Sequence, residues 1–296
     1  MAGVEETALG ATGLKVPRLG LGCQPLGSPT LADSAVASLL DVAVDLGVRL
    51  FDTAPAYELS EERLGRHLAG RRSQVVLVTK LGYGVQGVAD WTGECIRRGV
   101  EAALARLQTD RIDIALLHSC DLDTLRRGDV VEALIQAREE GKIRLAGYSG
   151  ENEALAFAIS SGAFQVIETS VNFLDQRSLG ESLNAAHEAG LGVLAKRPLA
   201  NAVWRDNVSG DAAVQEYRRR FLALRSQLDG DFDWPDLALR FSAFASGVDC
   251  AMIGTTREAH LRAAVSAIEA GPLAVADTER LVTAWNACGI DWPGVI

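Results

Sequence analysis

The sequence is most informative first in what it lacks. It has five cysteines (Cys23, Cys95, Cys120, Cys250 and Cys288), scattered and odd in number, with no CxxC pair. That excludes a disulfide framework and points to reduced thiols. It has no surplus of positive charge: 29 Lys and Arg stand against 39 Asp and Glu, a net charge of -10. A general affinity for nucleic acid or an anionic membrane surface is therefore not expected. The one basic run, Arg218-Arg219-Arg220, lies in a helical segment of mixed charge and reads as a solvated face. No apolar run reaches membrane-spanning length. The opening MAGVEETALGATG has neither a basic nor an apolar stretch, so no secretory signal is expected and the cytoplasm is the expected location. No stretch rich in Pro, Gly or Ser marks a boundary, and residues 1–296 read as one domain. A GxGxxG turn is missing too. LGLGCQPLG has the glycines at the wrong spacing, which argues against an open doubly wound sheet.

What is present is a regular alternation. Eight apolar runs read as strands: RLGLG (18–22), VRLFD (48–52), VVLVTK (75–80), IDIALLH (112–118), IRLAGYS (143–149), QVIETSV (165–171), LGVLAK (191–196) and VDCAMIG (248–254). Their near-continuous apolarity is what strands covered on both faces require. Helical patterns lie between them. ADSAVASLLDVAVDLG puts Ala35, Val36, Leu39, Leu40 and Val44 on one face and stops at Gly47, a suitable left-handed cap. Asp90 and Ser178 are the expected N-caps of two further helices, and Ser60 opens another with the look of a capping box. Strand ends recur about every 33 residues, the size of one βα unit, and eight such units predict a (β/α)8 TIM barrel. A hairpin turning at Gly10 to Gly13 precedes the first strand. The long gap after residue 196 leaves room for an extra helix near 211–228, and one more helix follows Asp277.

In such a barrel, chemistry collects at the C-terminal ends of the strands. Strand two ends at Asp52, strand three at Lys80 and strand four at His118, with Tyr57 in the loop after strand two. A phenol with a pKa near ~10 is a poor proton donor at neutral pH, and a nearby ammonium lowers it. A carboxylate beside a buried lysine keeps the lysine charged. Asp52, Lys80 and Tyr57 then read as a relay that makes a general acid, with His118 bonding the substrate oxygen or sharing the proton. The set contains no strong nucleophile and suits protonation of an oxygen. His118, Cys120 and Asp121 form the one cluster with metal-binding residue types. They share a single turn, and His67, His187 and His260 fall in helices without ligand spacing, so no metal site is expected.

Several segments together resemble the aldo-keto reductase family along nearly the whole chain. They are LGATGLKVPRLGLG, FDTAPAYELSEERLGRHL, VVLVTKLG, RLQTDRIDIALLHSCD, GKIRLAGYS, VNFLDQRSL and MIGTTREAHL. The resemblance implies a (β/α)8 barrel using NADPH, less often NADH, without a Rossmann domain. It implies hydride transfer between the nicotinamide and a carbonyl carbon. Tyr57 would protonate the oxygen, Lys80 and Asp52 would lower its pKa, and His118 would orient the carbonyl.

The resemblance also implies cofactor contacts. Ser149 fits the serine that holds the carboxamide, with Gly150 in place of the usual asparagine and Glu168 in place of the usual glutamine. Lys196 stands where an aromatic ring would stack, and cannot reproduce a flat face. Lys196, Arg197, Pro198, Leu199 and Ala200 would instead hold the pyrophosphate. Gly254, Thr255, Thr256, Arg257 and His260 would hold the adenosine phosphate at a helix N-terminus. NADP(H) is favoured and NAD(H) is the second candidate. Gln24, Tyr83, Trp91, Trp204 and Trp292 are candidates for lining the substrate pocket, and the partner expected is a small carbonyl compound or alcohol. Nothing in the sequence marks an oligomer contact. Two other readings compete: a nucleotide-binding redox sensor or regulatory subunit with little turnover, and an unrelated barrel hydrolase or lyase. The intact Asp52, Tyr57, Lys80 and His118 set favours the reductase over the first. The lack of paired rim carboxylates and of a metal set disfavours the second.

Overall fold

A computed structural model describes residues 4–295. The chain opens with an antiparallel hairpin of β1 (Glu6–Ala8) and β2 (Lys15–Pro17). Eight parallel strands follow: β3 (Leu19–Gly22), β4 (Leu50–Asp52), β5 (Val76–Leu81), β6 (Ile112–His118), β7 (Ile143–Ser149), β8 (Val166–Ser170), β9 (Gly192–Lys196) and β10 (Cys250–Gly254). They close into a barrel in chain order, β10 pairing with both β3 and β9. The eight-stranded barrel and its hairpin match the sequence expectation, and the strand ends agree within one or two residues.

The helices are α1 (Asp33–Asp45), α2 (Ser60–Leu68), α3 (Gly93–Arg106), α4 (Leu122–Arg127), α5 (Asp129–Glu139), α6 (Asn152–Ser160) and α7 (Glu181–Glu188). After β9 come α8 (Ala212–Arg225) and α9 (Trp234–Ala243), and after β10 come α10 (Glu258–Glu269) and α11 (Val275–Cys288). Among the described residues no helix is long and apolar enough to cross a membrane.

Side chains alternate along each strand, so residues two apart share a face. Leu50, Val78, Ile114, Leu116, Leu145, Val166, Leu194, Cys250 and Met252 form one buried cluster, the packed lumen. Gly20 of β3 adds no side chain there, because Leu50, Cys250 and Met252 already fill its space. Leu9 and Val16 join the same cluster from the hairpin and plug the N-terminal end. Asp249 holds the hairpin there, its Oδ2 accepting from the Gly10 and Val193 amides at 3.0 and 2.9 Å. With that end closed, only the opposite mouth is open to chemistry. A larger apolar layer separates the barrel from its helices. A separate cluster, built on Phe173, Tyr217, Phe221, Phe241 and Trp285, lies under α8, α9 and α11.

Several local expectations are corrected. Thr92, not Asp90, caps α3, its Oγ1 accepting from the Cys95 amide, while Asp90 anchors the Gly84 amide at 2.9 Å. Ser178 does not cap α7; it is buried, 3.4 Å from Thr169 Oγ1. Ser60 does not cap α2 either, because its hydroxyl donates to the Cys23 carbonyl at 3.0 Å. The basic run is a solvated face only in part: Arg219 is exposed and Arg218 half-buried, but Arg220 is not solvated. Arg220 is 1% exposed, its guanidinium bonded to Glu216 and to the Pro293 carbonyl.

Candidate active site

The same alternation that packs the lumen carries the polar set to its mouth. Two residues beyond Leu50 is Asp52, beyond Val78 is Lys80, beyond Leu116 is His118, beyond Val166 is Glu168, and beyond Leu194 is Lys196. Parallel register sets them side by side: His118 pairs with Ser149, and Ser149 with Glu168.

At the centre, Lys80 Nζ donates to Asp52 Oδ1 at 2.5 Å and to the Thr53 carbonyl at 3.3 Å. Glu168 Oε2 lies 3.6 Å from the same ammonium, and its other oxygen accepts from Ser149 Oγ at 2.9 Å. All of these residues are buried. Burial works against the Lys80 ammonium, but Asp52 and Glu168 outweigh it and hold the lysine charged. For Asp52, burial and then Glu168 raise the pKa against the opposing pull of Lys80.

Tyr57 is placed by a short, heavily tied loop. Its amide bonds the Ala54 carbonyl at 3.0 Å, and its own carbonyl accepts from the Ser60 amide at 2.9 Å. Thr53 Oγ1 donates to Ser60 Oγ at 2.8 Å, closing the loop from strand to helix. Glu61, buried, accepts from Thr79 Oγ1 at 2.6 Å and from Arg106 at 2.5 Å, so the start of α2 is fastened beside Lys80. Arg63 reaches back to the Leu26, Ser28 and Leu31 carbonyls. Sequence reasoning missed this clamp, although the SEER run beginning at Ser60 was its visible trace.

The Lys80 ammonium sits 5.3 Å from the Tyr57 ring centre, and the Tyr57 and His118 rings meet edge to face at 6.1 Å. Burial pushes the Tyr57 pKa up to about 12; Lys80 draws it down, whereas Asp52 and Glu168 push it up. The expectation that Lys80 and Asp52 both lower it is thus corrected: the ammonium alone has that sign, because the carboxylates repel the phenolate. Burial outweighs Lys80, so Tyr57 is a protonated phenol at neutral pH and a weaker acid than a free tyrosine, and the expected net lowering of its pKa is not found. Burial, reinforced by Lys80, Lys196 and Arg197, pushes His118 down to about 3, so it is a neutral imidazole.

The other candidates divide. Tyr83 bonds His118 Nδ1 at 2.5 Å, and Trp91 packs edge-on against Tyr83 at 5.6 Å. Gln24 is exposed at the head of a short 3-10 turn (Gln24–Gly27). Trp204 packs against Phe173 at 6.4 Å, and Trp292 against Trp285 at 5.3 Å, both in the cluster beneath the extra helices. Lys196 points back into the mouth, 3.4 Å from both Ser149 Oγ and Glu151 Oε1. Arg197 reaches Ser170 Oγ and the Val295 carbonyl. Pro198 is buried, and after it Ala200, Asn201 and Ala202 have positive φ, as Arg197 does before it. Two amides of this stretch are already bonded within it, Ala200 to the Arg197 carbonyl at 2.8 Å and Ala202 to the Leu199 carbonyl at 2.6 Å. Thr255 Oγ1 accepts from the Arg257 amide at 3.1 Å and lies 3.4 Å from His260 Nδ1, in front of α10. Gly254, Thr256 and Arg257 are exposed there. Of the metal-type cluster, Asp121 caps α4 through the Thr124 amide, and Cys120 is buried. Among the described residues no three His, Cys, Asp or Glu side chains gather as metal ligands.

A nicotinamide nucleotide can be tested against this surface. Glu168 Oε2 is buried without a hydrogen-bond partner. An acceptor left bare at a barrel mouth suits an amide N–H₂. The polar amide end in front of α10 suits a phosphate. The residues present therefore fit such a group.

At its mouth the parallel barrel thus holds a buried lysine–carboxylate pair under a phenol and a neutral imidazole. The profile of the aldo/keto reductase family matches residues 18–286, and the chain belongs to that family. It is 34% identical over 215 residues to an L-galactose dehydrogenase of Arabidopsis thaliana, covering 68% of this chain and 67% of that one. It is 31% identical over 224 residues to a D-threo-aldose 1-dehydrogenase of a Pseudomonas species, covering 64% and 68%. Among solved structures, the holo form of an aldo-keto reductase from Bacillus halodurans superposes with a TM-score of 0.81 at 27% identity, covering 95% of this chain and 96% of that one. A putative aldo-keto reductase from Pseudomonas aeruginosa superposes with a TM-score of 0.71 at 33% identity, covering 89% and 93%.

Proposed function

We propose that this protein is an NAD(P)H-dependent oxidoreductase interconverting a carbonyl and an alcohol, with Tyr57 as the general acid. The observation that carries the reading is the buried Lys80–Asp52 contact of 2.5 Å set beneath the Tyr57 ring. When bound, the nicotinamide nucleotide supplies or accepts the hydride. Tyr57 gives its proton to the substrate oxygen, and in the reverse direction receives it. Lys80 stabilises the phenolate this leaves, and Asp52 holds Lys80 in place and charged. His118, neutral, bonds the oxygen and orients it toward Tyr57. Ser149 and Glu168 are the residues that would hold the carboxamide. Thr255, Thr256 and Arg257, with His260, would take the adenosine phosphate, and Arg257 favours NADPH over NADH. The names of the two dehydrogenase relatives make an aldose the first substrate class to try, with residues 1–296 acting as one domain.

The test is loss or gain of nucleotide absorbance with a panel of aldehydes, ketones and aldoses, run in both directions beside Tyr57→Phe. The wild type is expected to turn over. The variant is expected to lose about 10²- to 10⁴-fold in rate while binding nucleotide unchanged. Nucleotide binding with no turnover of any substrate would favour the sensor reading. Absence of nucleotide binding would exclude both.

A further inference from the structure

We infer that Tyr83 is a positioning residue: its hydroxyl donates to His118 Nδ1 and so fixes His118 as the tautomer that carries its proton on Nε2. Tyr83 Oη lies 2.5 Å from Nδ1. The two rings stack at 5.4 Å with 28° between their planes, which sets the imidazole's rotation as well as its partner. Among the described residues the Tyr83 hydroxyl makes no other hydrogen bond.

The direction of the bond follows from chemistry. A neutral imidazole has one N–H and one bare nitrogen, and the neighbour of one nitrogen decides the state of the other. A phenol is a stronger acid than an imidazole N–H, and a bare imidazole nitrogen is a stronger base than a phenol oxygen. The bond therefore runs O–H to N, from Tyr83 to Nδ1. Nε2 is left as a donor, so His118 can give a hydrogen bond to a substrate oxygen and cannot take its proton. The sequence left open whether His118 bonds the oxygen or shares the proton; this contact selects the first.

The loop that carries Tyr83 is built to hold it there. Trp91 folds back so that its amide bonds the Gly82 carbonyl at 2.6 Å, and its ring covers Gly82 and meets Tyr83 edge-on. A Cβ on Gly82 would lie 2.0 Å from the Trp91 ring, and Gly82 has φ +138, so only glycine permits this fold. Arg127 fastens the other end through the Trp91 carbonyl at 2.6 Å.

The role of the donor in turnover rests on the reductase reading; the tautomer does not, and can be measured without turnover. The sequence has four histidines, which makes a long-range ¹H–¹⁵N spectrum of histidine-labelled protein simple to assign with a His118→Asn control. At neutral pH the His118 signals are expected to show a bare Nδ1 and a protonated Nε2. Tyr83→Phe keeps the stacked ring and removes only the hydroxyl. It is expected to move both nitrogens toward averaged shifts and to lower kcat about 2- to 13-fold, the loss of one neutral hydrogen bond, with nucleotide affinity unchanged. A wild-type spectrum with the proton on Nδ1 overturns the inference, as does a Tyr83→Phe spectrum identical to wild type. The expected tautomer in a protein that turns over nothing would count against the reductase reading instead.

Discussion

One buried ammonium stands between two buried carboxylates: Lys80 Nζ is 2.5 Å from Asp52 Oδ1 and 3.6 Å from Glu168 Oε2. Neither acid is screened by water, so the lysine is as much a structural counter-charge as a functional group. Lys80→Met is expected to destabilise the fold by about 3–5 kcal/mol, because it leaves carboxylates buried without a cation. Adding Asp52→Leu to it should recover part of that loss. Denaturant unfolding of the single and double variants measures both, and a single variant as stable as wild type would contradict the geometry.

Gly27 is the contact surface for the Tyr57 loop. A Cβ there would lie 1.8 Å from the Tyr57 carbonyl oxygen, a backbone atom that cannot swing aside. Gly27→Ala should therefore push Tyr57 off its position over Lys80. The expected result is a fall of about 10²-fold in kcat/KM, in line with ångström-scale misplacement of a catalytic group. Gly70→Ala, where a Cβ meets nothing within 4 Å, is the matched control and should behave as wild type.

His118 makes the fold sensitive to acid. Its pKa falls to about 3 in the folded state from an ordinary value of 6.5. The unfolded chain thus binds the proton more readily between those values. Its contribution to stability is present above about pH 6.5 and is lost as pH falls toward 3, at up to about 1.4 kcal/mol per pH unit. Asp52, raised by burial and Glu168, has the opposite sign over part of that range. The difference between wild type and His118→Asn isolates the histidine: the variant's stability should fall less steeply below pH 6.5. Equal slopes in denaturant melts at pH 7, 6, 5 and 4 would refute the assignment.

The arginines of the run Arg218-Arg219-Arg220 in α8 should behave unequally. Arg220 is buried against Glu216, Leu174, Pro293 and Trp292, whereas Arg219 is exposed beside it. Arg220→Ala is expected to cost about 3–5 kcal/mol, since it strands its polar partners. Arg219→Ala should cost less than about 1 kcal/mol, the usual worth of an exposed pair. Thermal unfolding of the two variants decides it.

The burial of Arg220 was in fact legible. Tyr217, Phe221 and Leu224 are buried with it at helical spacing, so it lies on their face. Reading the run as three like charges hid that periodicity. The caps of α2, α3 and α7 were less legible, since Ser60, Asp90 and Ser178 are all acceptable cap residues by type. What moved them elsewhere was a competing partner: the Cys23 carbonyl, the Gly84 amide and Thr169.

By itself the sequence determined the barrel, because buried parallel strands must be apolar almost throughout and their spacing leaves room for one helix each. It also placed Asp52, Lys80 and His118 at one mouth, because a polar side chain ending an apolar strand stands out. The tertiary structure alone decided which groups meet across the mouth. Tyr83 and His118 are 35 residues apart, and Glu61 and Thr79 are 18 apart. Nothing in either local pattern names the other, since such pairs are set by strand register and loop path. The same holds for the balance of effects on Tyr57, in which burial outweighs the pull of Lys80. That depends on distance and burial, which exist only once the chain has closed on itself.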